Sequence, residues 1–259
     1  MFVNGNTGVN GDYINYFLCN KTFQKTIEIT MQFIFNFQLK VLSVVLAVVF
    51  GLGIVMSVCF VKASKSSRVL TVVIDAGHGG IDGGASGVIT GVKEAEINLL
   101  VAKSLKNLYE TNGYQVVMTR CDSDGLYGTT EPGFKKRDLE KRIEIINSSN
   151  ADFLISIHLN TYSSKSRRGA QAFFKKGNAL SERLAKRIQG RINGLGVVPR
   201  TYDALGGDYY LLNESKMPSV IVECGFLSSP EDEKLLLSED FRQKMAMAIF
   251  GGSIDAMLL

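Results

Sequence analysis

The sequence predicts an α/β fold: a single domain with a central, mostly parallel twisted sheet flanked by helices, behind an N-terminal transmembrane or signal-anchor helix. Three observations predict it. From Leu70 onward, short apolar runs alternate with stretches of helical period, and strands joined through helices make right-handed crossovers and lie parallel. Val41 to Val61 is an apolar run without a charge, flanked by Lys40 and Lys62. About 20 such residues cross a bilayer core, whereas a helix on a globular core would keep a polar face. Finally, the two histidines, His78 and His158, each follow a strand-like run, at the strand ends where open α/β sheets bind ligands.

Taken in chain order, residues 1–40 form an N-terminal segment without clear period, and Met31, followed by Gln-Phe-Ile-Phe, makes a more usual start for an anchored protein. Residues 41–61 exceed the apolar core of a secretory signal, about 7–15 residues, and read as an uncleaved anchor. The basic residues on its two sides (Lys21, Lys25 and Lys40 against Lys62, Lys65 and Arg68) leave its orientation open. Residues 62–68 are a Ser/Lys-rich linker, and the folded domain spans 69–259. Within it, Leu70–Ile74 reads as a buried strand. Glu94–Tyr109 is a helix with Ile97, Leu100, Val101, Leu105 and Leu108 on one face. Gly113 ends that helix, Gln115–Thr119 is a strand and Asp122–Gly133 a loop. Leu139–Asn147 is a short helix, Phe153–Ile157 and Ala170–Phe174 are strands, and Leu180–Leu195 is a basic helix. Tyr209–Leu212 reads as a short strand and Ser219–Val222 as a buried one. Pro230 opens a helix with an acidic first turn, and Phe241–Met257 closes the domain.

Composition narrows the function. The four cysteines, Cys19, Cys59, Cys121 and Cys224, form no Cys-x-x-Cys pair, which argues against a cysteine zinc site. Pairing of Cys121 with Cys224 stays open. The net charge of +4 is mild. The clusters Lys135–Arg137, Arg167–Arg168 and Lys175–Lys176 read as solvated faces rather than a nucleic-acid surface.

His78 and His158, delivered by two strands, are placed to share a metal. A catalytic zinc commonly takes two histidines, a carboxylate and a water. Glu94, at the start of a helix after a glycine-rich loop, is the candidate third ligand, with Asp75 and Asp82 as rivals. Asp75 is also close enough to orient the His78 imidazole. Glu223 ends the run Val220-Ile-Val, where a carboxylate is costly unless paired, solvated or functional; it is the candidate general base. Asn160 is a weaker candidate for substrate binding or a turn, and Arg142 for orienting a carboxylate or lying on a solvated face.

These residues sit in six ordered motifs: Asp75-Ala-Gly-His-Gly-Gly80, Asp82-Gly-Gly-Ala-Ser-Gly87, Lys93-Glu94, Arg142 with Asn147, Ser156-Ile-His-Leu-Asn160 and Val222-Glu-Cys-Gly-Phe-Leu-Ser228. The set resembles the zinc-dependent N-acetylmuramoyl-L-alanine amidases of the Amidase_3 type, from about Val69 to the C-terminus. A single short domain behind an apolar segment is most similar to the members that act in the spore cortex of endospore formers. The resemblance implies one zinc ion on His78, Glu94 and His158, with Glu223 as catalytic acid and base. It implies hydrolysis of the amide between N-acetylmuramic acid and L-alanine in peptidoglycan, preparing muramic-δ-lactam formation. An extracytoplasmic domain in the forespore intermembrane space or cortex follows, held to the membrane by its N-terminal segment. Ala95 stands where the family frequently has Lys, and Cys224 where it commonly has Thr; neither removes a ligand or base. The stretch 160–222 is short and shows no obvious counterpart of the inhibitory helix of some members, which suggests control in trans, from localisation or an accessory activating protein. The alternatives are a zinc peptidase cutting within the stem peptide and an inactive membrane-anchored wall-binding protein.

Overall fold

The computed structural model describes the backbone of residues 10–63, 69–196 and 201–258, and the side chains of 21, 23–52, 69–196 and 201–258. Two compact units emerge, Met1–Ser67 and Arg68–Leu259. Among the described residues, the first contains one helix, α1 (Asn10–Ala63). Its stretch Phe23–Leu52 is long and apolar enough to cross a membrane, and its side chains are exposed. The predicted Val41–Val61 run lies within this helix, its side chains beyond Leu52 outside the described residues. Lys62 and Ala63 of the expected linker complete α1, and 64–68 are not described.

The second unit follows the predicted alternation: β1 (Thr71–Ala76), α2 (Glu94–Thr111), β2 (Gln115–Met118), α3 (Phe134–Ser148), β3 (Phe153–Asn160), β4 (Gln171–Lys175), α4 (Ala179–Asn193), β5 (Leu205–Gly207), α5 (Tyr210–Glu214), β6 (Ser219–Phe226), α6 (Pro230–Leu237) and α7 (Glu239–Met257). The six strands form one sheet in the order β2-β1-β3-β6-β4-β5. β2, β1, β3 and β6 are parallel; β4 runs antiparallel to β6, and β5 parallel to β4. On one face, Ile74, Ile155, Ile157, Val220 and Val222 pack with Val101, Leu105, Ile188 and Ile249 from α2, α4 and α7. On the other, Val73 and Leu154 meet Ile146 of α3 and Leu211 of α5.

Four expectations change. Tyr209–Leu212 is not a strand: Tyr210–Glu214 is the helix α5, and β5 lies just before it. So short an apolar run has no period to separate helix from strand, and the packing of Leu211 against Ile146 and Leu154 decides it. α3 starts at Phe134, five residues before Leu139, because Gly133 adopts φ 85° and ends the preceding loop there. The basic run Lys135–Arg137 therefore forms its first turn, with Arg137 donating to the carbonyls of Tyr127, Thr129, Glu131 and Pro132. On α2, Leu100 is exposed, and Tyr109 completes the buried stripe. β3 runs on to Asn160, which places His158 inside the strand rather than past it.

Candidate active site

The site forms at the carboxyl ends of β1, β3 and β6. Each ligand candidate comes from a different element: His78 from the loop after β1, Glu94 from the first turn of α2, and His158 from β3. One donor atom from each lies within 4.8 Å of the others. Glu94 Oε1 is 3.0 Å from His158 Nδ1 and 3.3 Å from His78 Nε2. The same oxygen accepts from the Leu159 amide, and Oε2 accepts from the Ala85 amide. Burial would raise the Glu94 carboxyl, but both histidines hold it well below the usual carboxylate range.

Two glycines make this approach geometrically feasible. A Cβ on Gly77 would stand 2.3 Å from the His158 ring; at Gly84, with φ +67°, it would meet Glu94 Oε2 at 2.5 Å. His78 itself adopts φ 61°, left-handed backbone that is uncommon outside glycine.

The His78 orienting partner is Asp82, not Asp75. Asp82 Oδ2 is 2.9 Å from His78 Nδ1, and Lys135 is 3.1 Å from its other oxygen. Burial works to lower the His78 pKa, but Glu94 and Asp82 outweigh it and raise it to about 9. The site thus favours positive charge strongly. Asp75 serves the scaffold. Its carboxylate accepts from Arg142, Thr119 and Ser156 at 2.7, 2.7 and 2.6 Å. Burial pushes Asp75 up, yet Arg142, His158 and the two hydroxyls bring it down to about 2. Arg142 is buried, not on a solvated face: it also binds Asp138 and donates to the carbonyls of Ala76 and His78. Asn160 Oδ1 accepts from the Thr161 amide, the turn-forming reading of that residue. Cys121 is exposed and Cys224 buried, and both are free thiols.

Glu223 sits beside His158 in the β3–β6 register. It is buried, and its Oε2 has no hydrogen-bond partner. Burial pushes the carboxyl up to about 7, with Glu94 adding to the rise and the histidines opposing it. A cavity of about 280 Å³ opens beside the cluster on the same face of the sheet, lined by His78, His158, Lys135, Leu139, Tyr209 and Tyr210 among others. Sequence reasoning missed Asp138, Asn98 and Arg120. Their signal, polar residues at inward helical or strand-end positions, becomes specific only once the loop they touch is known.

Residues 72–254 match the family described as N-acetylmuramoyl-L-alanine amidase. The chain belongs to that family. It is 35% identical over 185 residues to the germination-specific N-acetylmuramoyl-L-alanine amidase of Bacillus subtilis, covering 70% of this chain and 77% of the relative. To the amidase LytC of the same organism it is 33% identical over 188 residues, 71% of this chain but 35% of LytC. Among solved structures it is similar to the CwlD amidase of Clostridioides difficile in complex with the GerS lipoprotein, with TM-score 0.70 and 36% identity over 73% of this chain and 98% of that one. A second amidase of Clostridium difficile 630 matches with TM-score 0.66 and 31% identity over 74% and 98%. The family's bond is an amide of peptidoglycan.

Proposed function

We propose that the protein is a zinc-dependent N-acetylmuramoyl-L-alanine amidase that strips stem peptides from peptidoglycan in the spore cortex, leaving muramic acid ready for δ-lactam formation. The observation that carries the catalytic part is the convergence of His78, Glu94 and His158 around one point, with an unpartnered, buried Glu223 oxygen beside it. Two imidazoles and a carboxylate are the donor set of a catalytic zinc that keeps a position for water, and the negative charge that raises the His78 pKa would equally hold a dication. The residues therefore fit zinc. Bound there, the ion supplies Lewis acidity to water and to the scissile carbonyl.

The chain's own residues do the rest. Asp82 holds the His78 ring by Nδ1, leaving Nε2 for the ion. Glu94 is held in turn by the amides of Ala85 and Leu159. Glu223, buried with an unpartnered carboxylate oxygen beside the cluster, is poised to take a proton from the attacking water and return it to the alanine nitrogen as the bond breaks. Support for the spore setting comes from a relative named as germination-specific, the Bacillus subtilis amidase. The apolar stretch Phe23–Leu52 supports an extracytoplasmic domain anchored by α1. That the CwlD structure is a complex with a lipoprotein supports an accessory protein acting in trans.

The test is to incubate the zinc-loaded full chain with purified peptidoglycan and identify the products by mass spectrometry. Free peptides beginning with L-alanine, with intact glycan, are expected; cuts inside the peptide would favour a peptidase instead. His158→Ala should lose the metal, and full zinc occupancy in that variant would refute the ligand set.

A further inference from the structure

Arg120 takes no part in the chemistry above, yet it is 4% exposed and lies against the ligand loop. Its Nε donates to the Ala76 carbonyl at 2.8 Å and its Nη1 to the Asp122 carbonyl at 2.7 Å. Its Nη2 donates to two carbonyls at once, Gly77 at 3.0 Å and Ala95 at 2.8 Å. Gly77 immediately precedes His78, and Ala95 immediately follows Glu94. One guanidinium nitrogen therefore joins the backbone beside two of the three metal-binding candidates.

The hydrogen bonds of Arg120 run to carbonyls rather than to a carboxylate. Burying a cation so is costly, and an apolar side chain would often serve stability as well. A rigid fork of donors, however, can fix several carbonyls at set distances, which a lysine cannot. Asn98 adds a parallel strut, its Nδ2 reaching the Gly77 carbonyl at 3.1 Å and Glu94 Oε1 at 3.3 Å. Arg142 takes the carbonyls of Ala76 and His78. All three carbonyls of Ala76-Gly77-His78 are thereby held, around a histidine at φ 61°. Such backbone persists only where its surroundings over-determine it.

We infer that Arg120 is a positioning residue for the metal centre: it presets the separation of His78 and Glu94, so that the ligands are assembled before the cation arrives. The inference rests on the zinc reading above. Ligands ordered in advance spare the cation the cost of ordering them, so the role should appear in metal affinity and coordination geometry rather than only in folding.

The experiment uses the full chain, Zn²⁺ titrated in competition with a chromogenic chelator, and Co²⁺ absorption spectra as a report on geometry. Arg120→Lys should weaken zinc binding about 10- to 100-fold and change the Co²⁺ spectrum. Tyr109→Phe, which removes a buried hydroxyl bonded to Ser253 away from the site, serves as a control for general destabilisation and should bind zinc as the parent does. An Arg120→Lys protein with parental affinity and spectrum overturns the inference, as does an equal loss in Tyr109→Phe. Should Arg120→Lys fail to fold, Arg120→Met carries the test, since an apolar side chain can serve stability as well; the same loss in zinc binding is expected, and parental binding counts against the inference. A parent chain that binds no zinc would instead overturn the metal reading itself.

Discussion

Glu223 Oε2 lies buried without a partner in a strand whose neighbouring residues, Val222 and Cys224, are also buried. Its folded pKa of about 7 exceeds the ordinary 4.5, so protonation favours the metal-free fold. That contribution is fully present below pH 4.5 and is lost as pH rises through about 7, on the order of 3 kcal/mol across the window. Glu223→Gln should therefore raise the thermal midpoint of the metal-free protein at pH 8 and leave it nearly unchanged at pH 4; equal shifts at both would contradict the burial argument. The same variant should keep its zinc and lose about 10²-fold or more in peptide release, since an amide cannot take the water's proton. Gly77→Ala, with a Cβ 2.3 Å from the His158 ring, should displace that ring and weaken zinc binding, read by chelator competition.

Between elements, buried ionic contacts hold the site's walls. Asp75 on β1 and Asp138 on α3 grip Arg142 from two sides. With its folded pKa near 2 against an ordinary 3.8, Asp75 stabilises the fold above pH 3.8, and that contribution is lost as pH falls through about 2. Asp75→Asn should cost on the order of 2 kcal/mol at pH 7 by leaving the buried Arg142 with Asp138 as its one carboxylate partner, and the cost should shrink in acid; urea unfolding at both pH values checks it. The acidic first turn of α6 does more than meet the helix dipole. Asp232 binds Arg168 and the amides of Gly169 and Phe226, while Glu233 takes the amides of Ile89 and Thr90, in the loop leading to Glu94. The pattern Pro230-Glu-Asp-Glu announces a helix start, but not that two of its carboxylates face inward.

For the whole molecule, the division into Met1–Ser67 and Arg68–Leu259 has a direct consequence. Produced alone, the second unit should unfold in one cooperative transition, seen by calorimetry, since its sheet and both hydrophobic clusters lie within it. Removing residues 1–67 should also move the protein from the membrane fraction to the soluble fraction on cell lysis. Persistence with the membrane would place the attachment elsewhere.

Much of this architecture was legible beforehand because burial writes a period into the chain. β1, β3 and β6 carry continuous apolar runs since both faces of a central strand are covered, and α2 shows its stripe of Ile97, Val101 and Leu105. His78, His158 and Glu223 stood out as costly or singular residues at the ends of such runs, and Glu94 as a carboxylate opening a helix after a glycine-rich loop. α5 was misread because Leu211 and Leu212 are too few to show a period. The partner of His78 was misassigned because Asp75 and Asp82 are both near it in sequence, and only the loop's path turns Asp82 toward Nδ1. The sequence alone picked out the candidate residues for the chemistry and five of the six strands of the sheet, through local pattern and residue type. The tertiary structure alone decided how those residues are held: by Arg120, Arg142 and Asn98 on backbone carbonyls, contacts between distant segments that no local pattern records.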